Sequence, residues 1–348
     1  MEYYNSIGKG KIKTNDILIV KDGATTGKVS FVSENFPLQD AAINEHVFRV
    51  ELDDKKIHPK YCFYYLVSDE GQKNILSDFR GATVGGISKA ILDKVQIPLP
   101  PLPIQKRIAE ILDAADALQR KDQQLLKKYE ELAQAIFIDM FGDPVKNEKG
   151  WGRKVATRYY EVRGRVGWKG YKKTDLRQKG AIVLGATHVT NNGEIDLTKV
   201  VFLSEEKFIE SPEIVVQKDD LIFVQRGNTI GKVALIRNDL GEATINPVVL
   251  IIRPVNANPL FLLYLLLNKE QNRELVSSNS GSAQPMITQE FMRKYVFIDV
   301  AKEEQEKFAE RIKLVEVQKG HAQISYSNSY NLFQTLIQKA FRGELVAE

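Results

Sequence analysis

The feature that most constrains this chain is that much of it is written twice. Asp16–Val29 (DILIVKDGATTGKV) lies over Asp220–Val233 (DLIFVQRGNTIGKV) at an offset of 204, with seven of fourteen positions identical. Further on, Ile43-Asn44 meets Ile245-Asn246, and Pro59–Leu66 meets Pro259–Leu266 at an offset of 200. That register then holds through Gly81/Gly281, Ile87/Ile287, Gln105/Gln305, Ala109-Glu110/Ala309-Glu310 and Phe141/Phe341. One structural unit is therefore used twice. The length of 348 residues independently suggests two domains at about 150 residues each.

Within each copy, a strand-rich head precedes a long helix, which makes the fold class α+β. Asp16–Val20 and Lys28–Val32 read as strands joined by a glycine-containing turn, and Asp220–Val224 and Lys232–Ile236 repeat that hairpin. Tyr61–Ser68 and Phe261–Asn268 are apolar and read as helices, while Lys94–Leu99 and Lys294–Asp299 read as the last strand of each head. The run Pro98–Pro103 (PLPPLP) stops the first of these and pre-sets the start of a helix.

From Ile104 the apolar positions step by four and three through Ile108, Ile111, Ala115, Leu118, Asp122, Leu125, Tyr129, Leu132 and Ile136, the pattern of a coiled-coil seam. A matching seam runs from Phe308 through Ile312, Val315, Lys319, Ala322, Tyr326, Ser329, Phe333, Leu336 and Ala340. A helix of about 38 residues would be about 57 Å long, too long for the core of a small domain. The reading is two heads, 1–103 and 143–303, separated by spacer helices over 104–142 and 304–348 that form an antiparallel coiled coil.

Charge distinguishes the two copies. Trp151–Gly180 carries ten Lys or Arg against Glu161 and Asp175, a local +8 in a chain whose net charge is +4. Both tryptophans, Trp151 and Trp168, lie in it with Tyr159, Tyr160 and Tyr171. Cations interleaved with stacking groups suit a nucleic acid, the lysines as phosphate anchors and the forked arginines as readers of guanine edges; a solvated basic face is the competing reading. Asp16 has only 15 residues before it, whereas Asp220 has 69 after Trp151, so the first copy lacks about 54 residues that include the counterpart of this segment. Either the first head does without them or the chain is an N-terminally shortened form.

Several chemistries are excluded. Gly23–Lys28 and Gly227–Lys232 place three residues between their glycines, and valine follows the lysine, so neither is a phosphate-binding P-loop. They read as tight turns that either follow a DNA backbone or serve structure alone. Asn246-Pro247 continues into Val248-Val249, which is no adenine methyltransferase motif. Asp196, Glu205 and Lys207 have a nuclease-like pattern but read as a solvated turn. Cys62 is the only cysteine, and His46, His58, His188 and His321 are scattered, so neither a disulfide framework nor a zinc site is expected. The longest apolar run, Phe261–Leu267, is far short of the roughly 20 residues that span a bilayer. MEYYNSIGKG has no signal-peptide core, so a cytoplasmic protein is expected.

With two variable heads, the helix-opening phrase IPLPPLPIQKRIAEILD, FGDP closing the first helix and AFRGEL closing the second, the chain resembles the specificity subunits of type I restriction-modification systems. The resemblance implies that each head is a target-recognition domain reading half of a split site in double-stranded DNA. It implies that the helices set the spacing and dock two methyltransferase subunits, with restriction subunits joining. It also implies a non-catalytic chain without cofactors of its own, S-adenosylmethionine, ATP and Mg2+ belonging to the partners.

On that basis Arg163, Arg165, Trp168, Lys169, Lys172 and Lys173, with Arg226, Asn228, Thr229 and Lys232 on the neighbouring turn, are the candidate DNA contacts of the second head. Thr25 and Lys28 are their counterparts in the first, while Gln105, Ile108, Leu118, Leu125, Gln305, Phe308, Val315 and Phe333 mark the spacer helices that dock partners. Two other readings stay open: a partner-docking scaffold that no longer selects DNA or self-associates to pair two second heads, and a small nuclease.

Overall fold

The computed structural model describes residues 10–37, 40–81, 85–165, 171–278 and 286–346. The chain divides into two compact units, unit 1 comprising Met1–Leu125 with His321–Glu348 and unit 2 comprising Leu126–Gly320. The division cuts both long helices, so each unit holds a head with one end of each helix.

In unit 1, β1 (Ile17–Val20) lies between β2 (Val29–Phe31) and β3 (Val47–Val50), antiparallel to both. β1 and β2 are the expected hairpin. Helix α1 (Pro59–Val67) starts on a proline, whose missing N–H costs nothing in a first turn, and buries Tyr61, Tyr64 and Tyr65 against Ile17 and Ile19. Ser68 then caps α2 (Asp69–Leu76) by accepting from Gly71 N. After the single turn α3 (Ile91–Lys94) comes a correction: residues 95–101 form no strand, because no partner strand lies beside them among the described residues.

The long helix α4 (Leu102–Phe141) starts two residues before the expected position. Its unit 1 part buries Gln105, Ile108, Ala109 and Leu112 with Ile337 and Ala340 of the last helix. Sequence numbers rise along one helix as they fall along the other, which makes the packing antiparallel, and Ser325 donates to Asp122 across it at 3.1 Å.

Unit 2 repeats this frame and adds to it. Its elements in order are β4 (Gly152–Val155), β5 (Tyr160–Arg163), β6 (Leu176–Arg177), β7 (Ala181–Leu184), β8 (Val201–Leu203), α5 (Glu205–Ile209), β9 (Leu221–Val224), β10 (Val233–Leu235), β11 (Ala243–Ile245) and β12 (Val249–Pro254). Then come α6 (Pro259–Leu267), α7 (Lys269–Ser277), α8 (Gln289–Lys294), β13 (Val296–Asp299) and α9 (Lys302–Phe341). One sheet has the order β10-β9-β12-β5, a second β11-β7-β8-β6, and β13 pairs with β4.

β9, β10 and β12 are the counterparts of β1, β2 and β3 in identical register: Leu221↔Ile252 matches Ile17↔Val50, and Val224↔Val249 matches Val20↔Val47. The all-apolar helix α6 is buried on nearly every side between sheet and long helices. There Phe137 and Phe141 of α4 meet Phe308 of α9 edge-on, at ring separations of 5.6 and 5.4 Å. α9 ends at Phe341 rather than running to the C-terminus, with Gly343 in the left-handed region just beyond. Among the described residues no helix is long and apolar enough to cross a membrane.

The seam of α9 lies where the heptad places it. That of α4 is displaced by one residue at alternate positions: Leu112 and Ala133 are buried and Gln119 and Leu126 half-buried, while Leu118, Leu125 and Leu132 face solvent. Two phases of the four-three pattern share Ile108, Ala115, Asp122 and Tyr129.

Candidate nucleic-acid interface

The hairpin turns are the most closely repeated feature of the two heads. In unit 2, Gly231 N donates to Val224 O at 2.9 Å, Ile230 N to Gly227 O at 3.1 Å and Lys232 N to Thr229 O at 3.2 Å. In unit 1, Gly27 N donates to Val20 O at 2.8 Å, Thr26 N to Gly23 O at 3.2 Å and Lys28 N to Thr25 O at 3.0 Å. Gly231 and Gly27 have φ of +90° and +85°, and a Cβ on Gly231 would sit 2.6 Å from Asn272 and 2.9 Å from Val276. Each turn is braced from behind by a side-chain amide: Asn272 of α7 donates to Gly231 O at 2.6 Å, and Gln72 of α2 to Gly27 O at 3.2 Å. These braces were missed in the sequence, although the offset of 200 that aligns the helices pairs them.

What the turns project differs. Arg226 and Asn228 are exposed at the tip in unit 2, with Thr229 and Lys232 half-exposed. In unit 1 Thr25 and Lys28 are exposed, but Asp22 stands in the place of Arg226 and contacts His46 Nδ1 at 2.5 Å. The same backbone frame thus presents a cation in one head and an acid–histidine pair in the other.

The loop after β5 reaches the same end of the unit 2 sheet. Arg163 pairs with Ile251, so the chain beyond it runs toward Val249, which is paired with Val224 just before the turn. Gln225, also missed, ties the turn to this edge: its Nε2 donates to Pro247 O at 2.9 Å and its backbone N to Val248 O at 3.0 Å.

Arg163 and Arg165, expected to read bases, both have partners within unit 2. Arg163 is engaged by Glu161, two residues earlier on the same strand face, at 2.7 Å. Arg165 donates from Nε to Ile245 O at 2.9 Å and lies 5.8 Å from the centre of the Tyr171 ring; burial lowers its pKa. Arg165 thus ties the start of the loop to β11, whereas the Arg163–Glu161 pair lies within β5. Lys172 and Lys173 are exposed beyond it, while Trp168 and Lys169 lie outside the described residues.

The other candidate chemistry is dispersed. Lys207 pairs with Glu210 at 2.5 Å, and Asp196 accepts from Thr198 N at 2.8 Å. Among the described residues no three His, Cys, Asp or Glu are grouped to hold a metal ion. Cys62 is a buried residue of α1, its thiol pushed up to about 12 by burial.

Four of the eight spacer-helix residues also need correction as partner-docking groups. Ile108 and Phe308 are core residues, and Gln105 and Gln305 are buried fasteners between helix and head. Gln105 accepts from His58 N at 2.8 Å and donates to Lys56 O and Pro100 O. Gln305 accepts from Asn258 N at 2.9 Å and donates to Val300 O. Val315 and Phe333 are half-buried, and only Leu118 and Leu125 are open to solvent.

The two units share one repeated hairpin-and-helix frame. Residues 2–128 and 166–319 match the type I restriction modification DNA specificity domain, and the chain belongs to that family. It is a specificity subunit of the type I restriction-modification class. It is 24% identical over 324 residues to the type I restriction enzyme MjaVIII specificity subunit of Methanocaldococcus jannaschii, a match covering 88% of this chain and 73% of that one. To the EcoBI specificity subunit of Escherichia coli it is 25% identical over 345 residues, covering 89% and 70%. The fold is shared with the type I S subunit of M. genitalium, at a TM-score of 0.56 and 17% identity over 96% of this chain and 84% of that one. A chain solved in work on assembly and conformational transition of the type I R-M system gives 0.55, also at 17% identity, over 98% and 85%.

Proposed function

We propose that unit 2 reads half of a split site in duplex DNA through the β9–β10 turn and the loop after β5. Arg226 and Asn228 read base edges, while Thr229, Lys232, Lys172 and Lys173 hold phosphates. The observation that carries this is the glycine-built turn, which projects an exposed Arg226 at the sheet end where the basic segment begins. Base contacts specify and phosphate contacts position, so the two groups are separable. Arg226→Ala is expected to cost about 1–3 kcal/mol on the preferred duplex and to relax its sequence preference. Lys172→Ala should weaken all duplexes alike and lower the salt slope by about one. Equal, sequence-blind losses for both variants would refute the division.

For the partner subunits we propose the outward faces of the long helices. Leu118 and Leu125 on α4 and Leu314, Val317 and Ile324 on α9 are the exposed apolar side chains that would serve there. The chain so read is not itself catalytic. Two methyltransferase subunits, with S-adenosylmethionine, and restriction subunits, with ATP and Mg2+, supply the chemistry.

A second reading, in which the first head does not select DNA, is favoured by Asp22 in the place of Arg226. The adenine methylation pattern of cells expressing the chain with its methyltransferase subunit decides between them. A split asymmetric motif means both heads read. A palindromic motif means two chains each lend unit 2, and no motif at all favours a scaffold.

A further inference from the structure

The residue that opens the hairpin turn is held in both units by the same set of bonds. In unit 2, Gln225 N donates to Val248 O at 3.0 Å and Ile287 N to Gln225 O at 2.8 Å. In unit 1, Lys21 N donates to His46 O at 2.7 Å and Ile87 N to Lys21 O at 2.8 Å. Val248 N donates to Asn246 Oδ1 at 3.0 Å, and His46 N to Asn44 Oδ1 at 3.1 Å. Side chains repeat the tie, Gln225 Nε2 donating to Pro247 O at 2.9 Å and Lys21 Nζ to Glu45 O at 3.4 Å. Arg226 then bridges to Met286, and Asp22 to Gly86. Asp22 and His46 therefore occupy the places of Arg226 and Val248, because the backbone around them is fastened alike.

That equivalence turns a difference in side chains into a difference in hydrogen-bonding polarity. An arginine offers donors and no acceptor, which suits the O6 and N7 acceptors of guanine, whereas an aspartate carboxylate offers acceptors alone. His46 Nδ1 lies 2.5 Å from Asp22 Oδ1, and since the carboxylate has no proton to give, the imidazole is the donor. This bond fixes the carboxylate at the tip through one oxygen. The other, Oδ2, lies 3.6 Å from Lys21 Nζ, beyond hydrogen-bond distance, and keeps its lone pairs for an incoming donor. Glu45 flanks the imidazole, its Oε1 3.6 Å from Nε2. Thr25 and Lys28 are exposed on the same turn, so phosphate contacts there do not depend on Asp22.

Resting on the reading that these turns meet base edges, we propose that Asp22 is the specificity-determining residue of unit 1 and reads a cytosine, with His46 as the residue that positions it. In the major groove only cytosine N4 and adenine N6 are donors, and adenine sets its N7 acceptor beside that amine, where it opposes the carboxylate. Guanine and thymine turn acceptors toward it as well. Unit 1 so read selects by accepting from a base where unit 2 selects by donating to one. Asp22 in the place of Arg226 changes what the turn reads rather than whether it reads.

The test measures adenine methylation by the full chain with its methyltransferase subunit, on duplexes carrying the motif found in cells and its single-base variants. The wild type should require cytosine at one position of one half-site, with about a tenfold or greater loss for other bases. Asp22→Asn, whose amide suits adenine N6 and N7 together, should raise the adenine-to-cytosine ratio at that position about tenfold or more and leave the other half-site as it was. His46→Ala should relax the same position, and His46→Asn, whose amide again donates to the carboxylate, should restore it; a merely structural loss would lower methylation on all duplexes alike. Glu45→Gln should change neither half-site. The proposal is overturned if no position of the motif requires cytosine, if Asp22→Asn leaves base preference unchanged, or if Glu45→Gln shifts it as Asp22→Asn does. A palindromic motif, or none, overturns it too. Arg226→Ala separates the causes of failure. If it relaxes one half-site while Asp22→Asn alters none, the assignment of Asp22 alone falls; if neither variant alters either half-site, the reading of the turns falls with it.

Discussion

Units 1 and 2 share a frame down to single hydrogen bonds, yet differ in what the frame carries. Asp16 and Asp220 each accept from the backbone N three residues earlier at 2.7 Å, and each pairs with an arginine on the adjacent strand, Arg49 at 3.4 Å and Arg253 at 2.7 Å. Gln105 and Gln305 fasten helix to head in the same way. Against this sameness, residues 296–299 form a strand and 96–99 do not, although Lys94–Leu99 reads as strand in the sequence. The lesson is that hairpin turns and helix starts are set locally, whereas a terminal strand exists only where another strand supplies its hydrogen bonds.

The sharpest way to break the comparison is at the two glutamines. Gln305→Leu strands the Asn258 N–H and the Val300 carbonyl in a buried place, and Gln105→Leu does the same to the His58 N–H and its carbonyl partners. Each unsatisfied group costs about 1–3 kcal/mol, so each unit should lose about 2–5 kcal/mol in its own hydrogen-exchange stability and leave the other unchanged. A loss confined to unit 2 would mean that the unit 1 fastener is idle and the equivalence only geometric.

A smaller effect separates the units by pH. Asp78 is fully buried in unit 1, where it accepts from Ser88 Oγ at 2.6 Å and Ser88 N at 2.8 Å and pairs with Lys94 and Arg80; the bonds from Ser88 hold its carboxyl well below the usual carboxylate range. In unit 2 the equivalent positions are Ser278 and Thr288. A carboxylate depressed in the folded state contributes its stability in full above the ordinary aspartate value of about 3.9, and loses it as pH falls toward the folded value. Exchange protection of unit 1 should therefore fall with acid in that window. In Asp78→Asn this part of the acid dependence should be gone, and unit 2 should look the same in both proteins. An unchanged acid profile of unit 1 in Asp78→Asn would show that another carboxylate governs it.

Much of this molecule is legible in the sequence, and the misses have physical reasons. The offset repeat places both hairpins, the apolar helices and the two long helices. The arginines after β5 mislead because charge in a sequence says nothing of partners: Glu161 sits two residues from Arg163, on the same strand face, and the Ile245 carbonyl that holds Arg165 is eighty residues away. The α4 seam misleads differently. Leucines at 118, 125 and 132 fit one heptad phase, but carrying the α9 seam back by 200 gives 108, 112, 115, 119, 122, 126, 129 and 133, the phase that packs. The repeat held the register, and side-chain hydrophobicity argued against it.

The smallest expected effect tests that register directly. Leu118 is 45% exposed and Leu112 is 0% exposed, both on the unit 1 part of α4. Leu112→Ala removes a packed side chain and should cost about 2–5 kcal/mol, whereas Leu118→Glu adds a charge to a solvated helix face and should stay within about 0.5 kcal/mol. If Leu118→Glu destabilised unit 1 as strongly as Leu112→Ala, the leucine phase would be the packed one. Should it leave the free chain intact yet abolish association with the methyltransferase subunit, the leucines at 118 and 125 owe their heptad spacing to a partner, which explains why the sequence imitates a seam on the face turned away from α9.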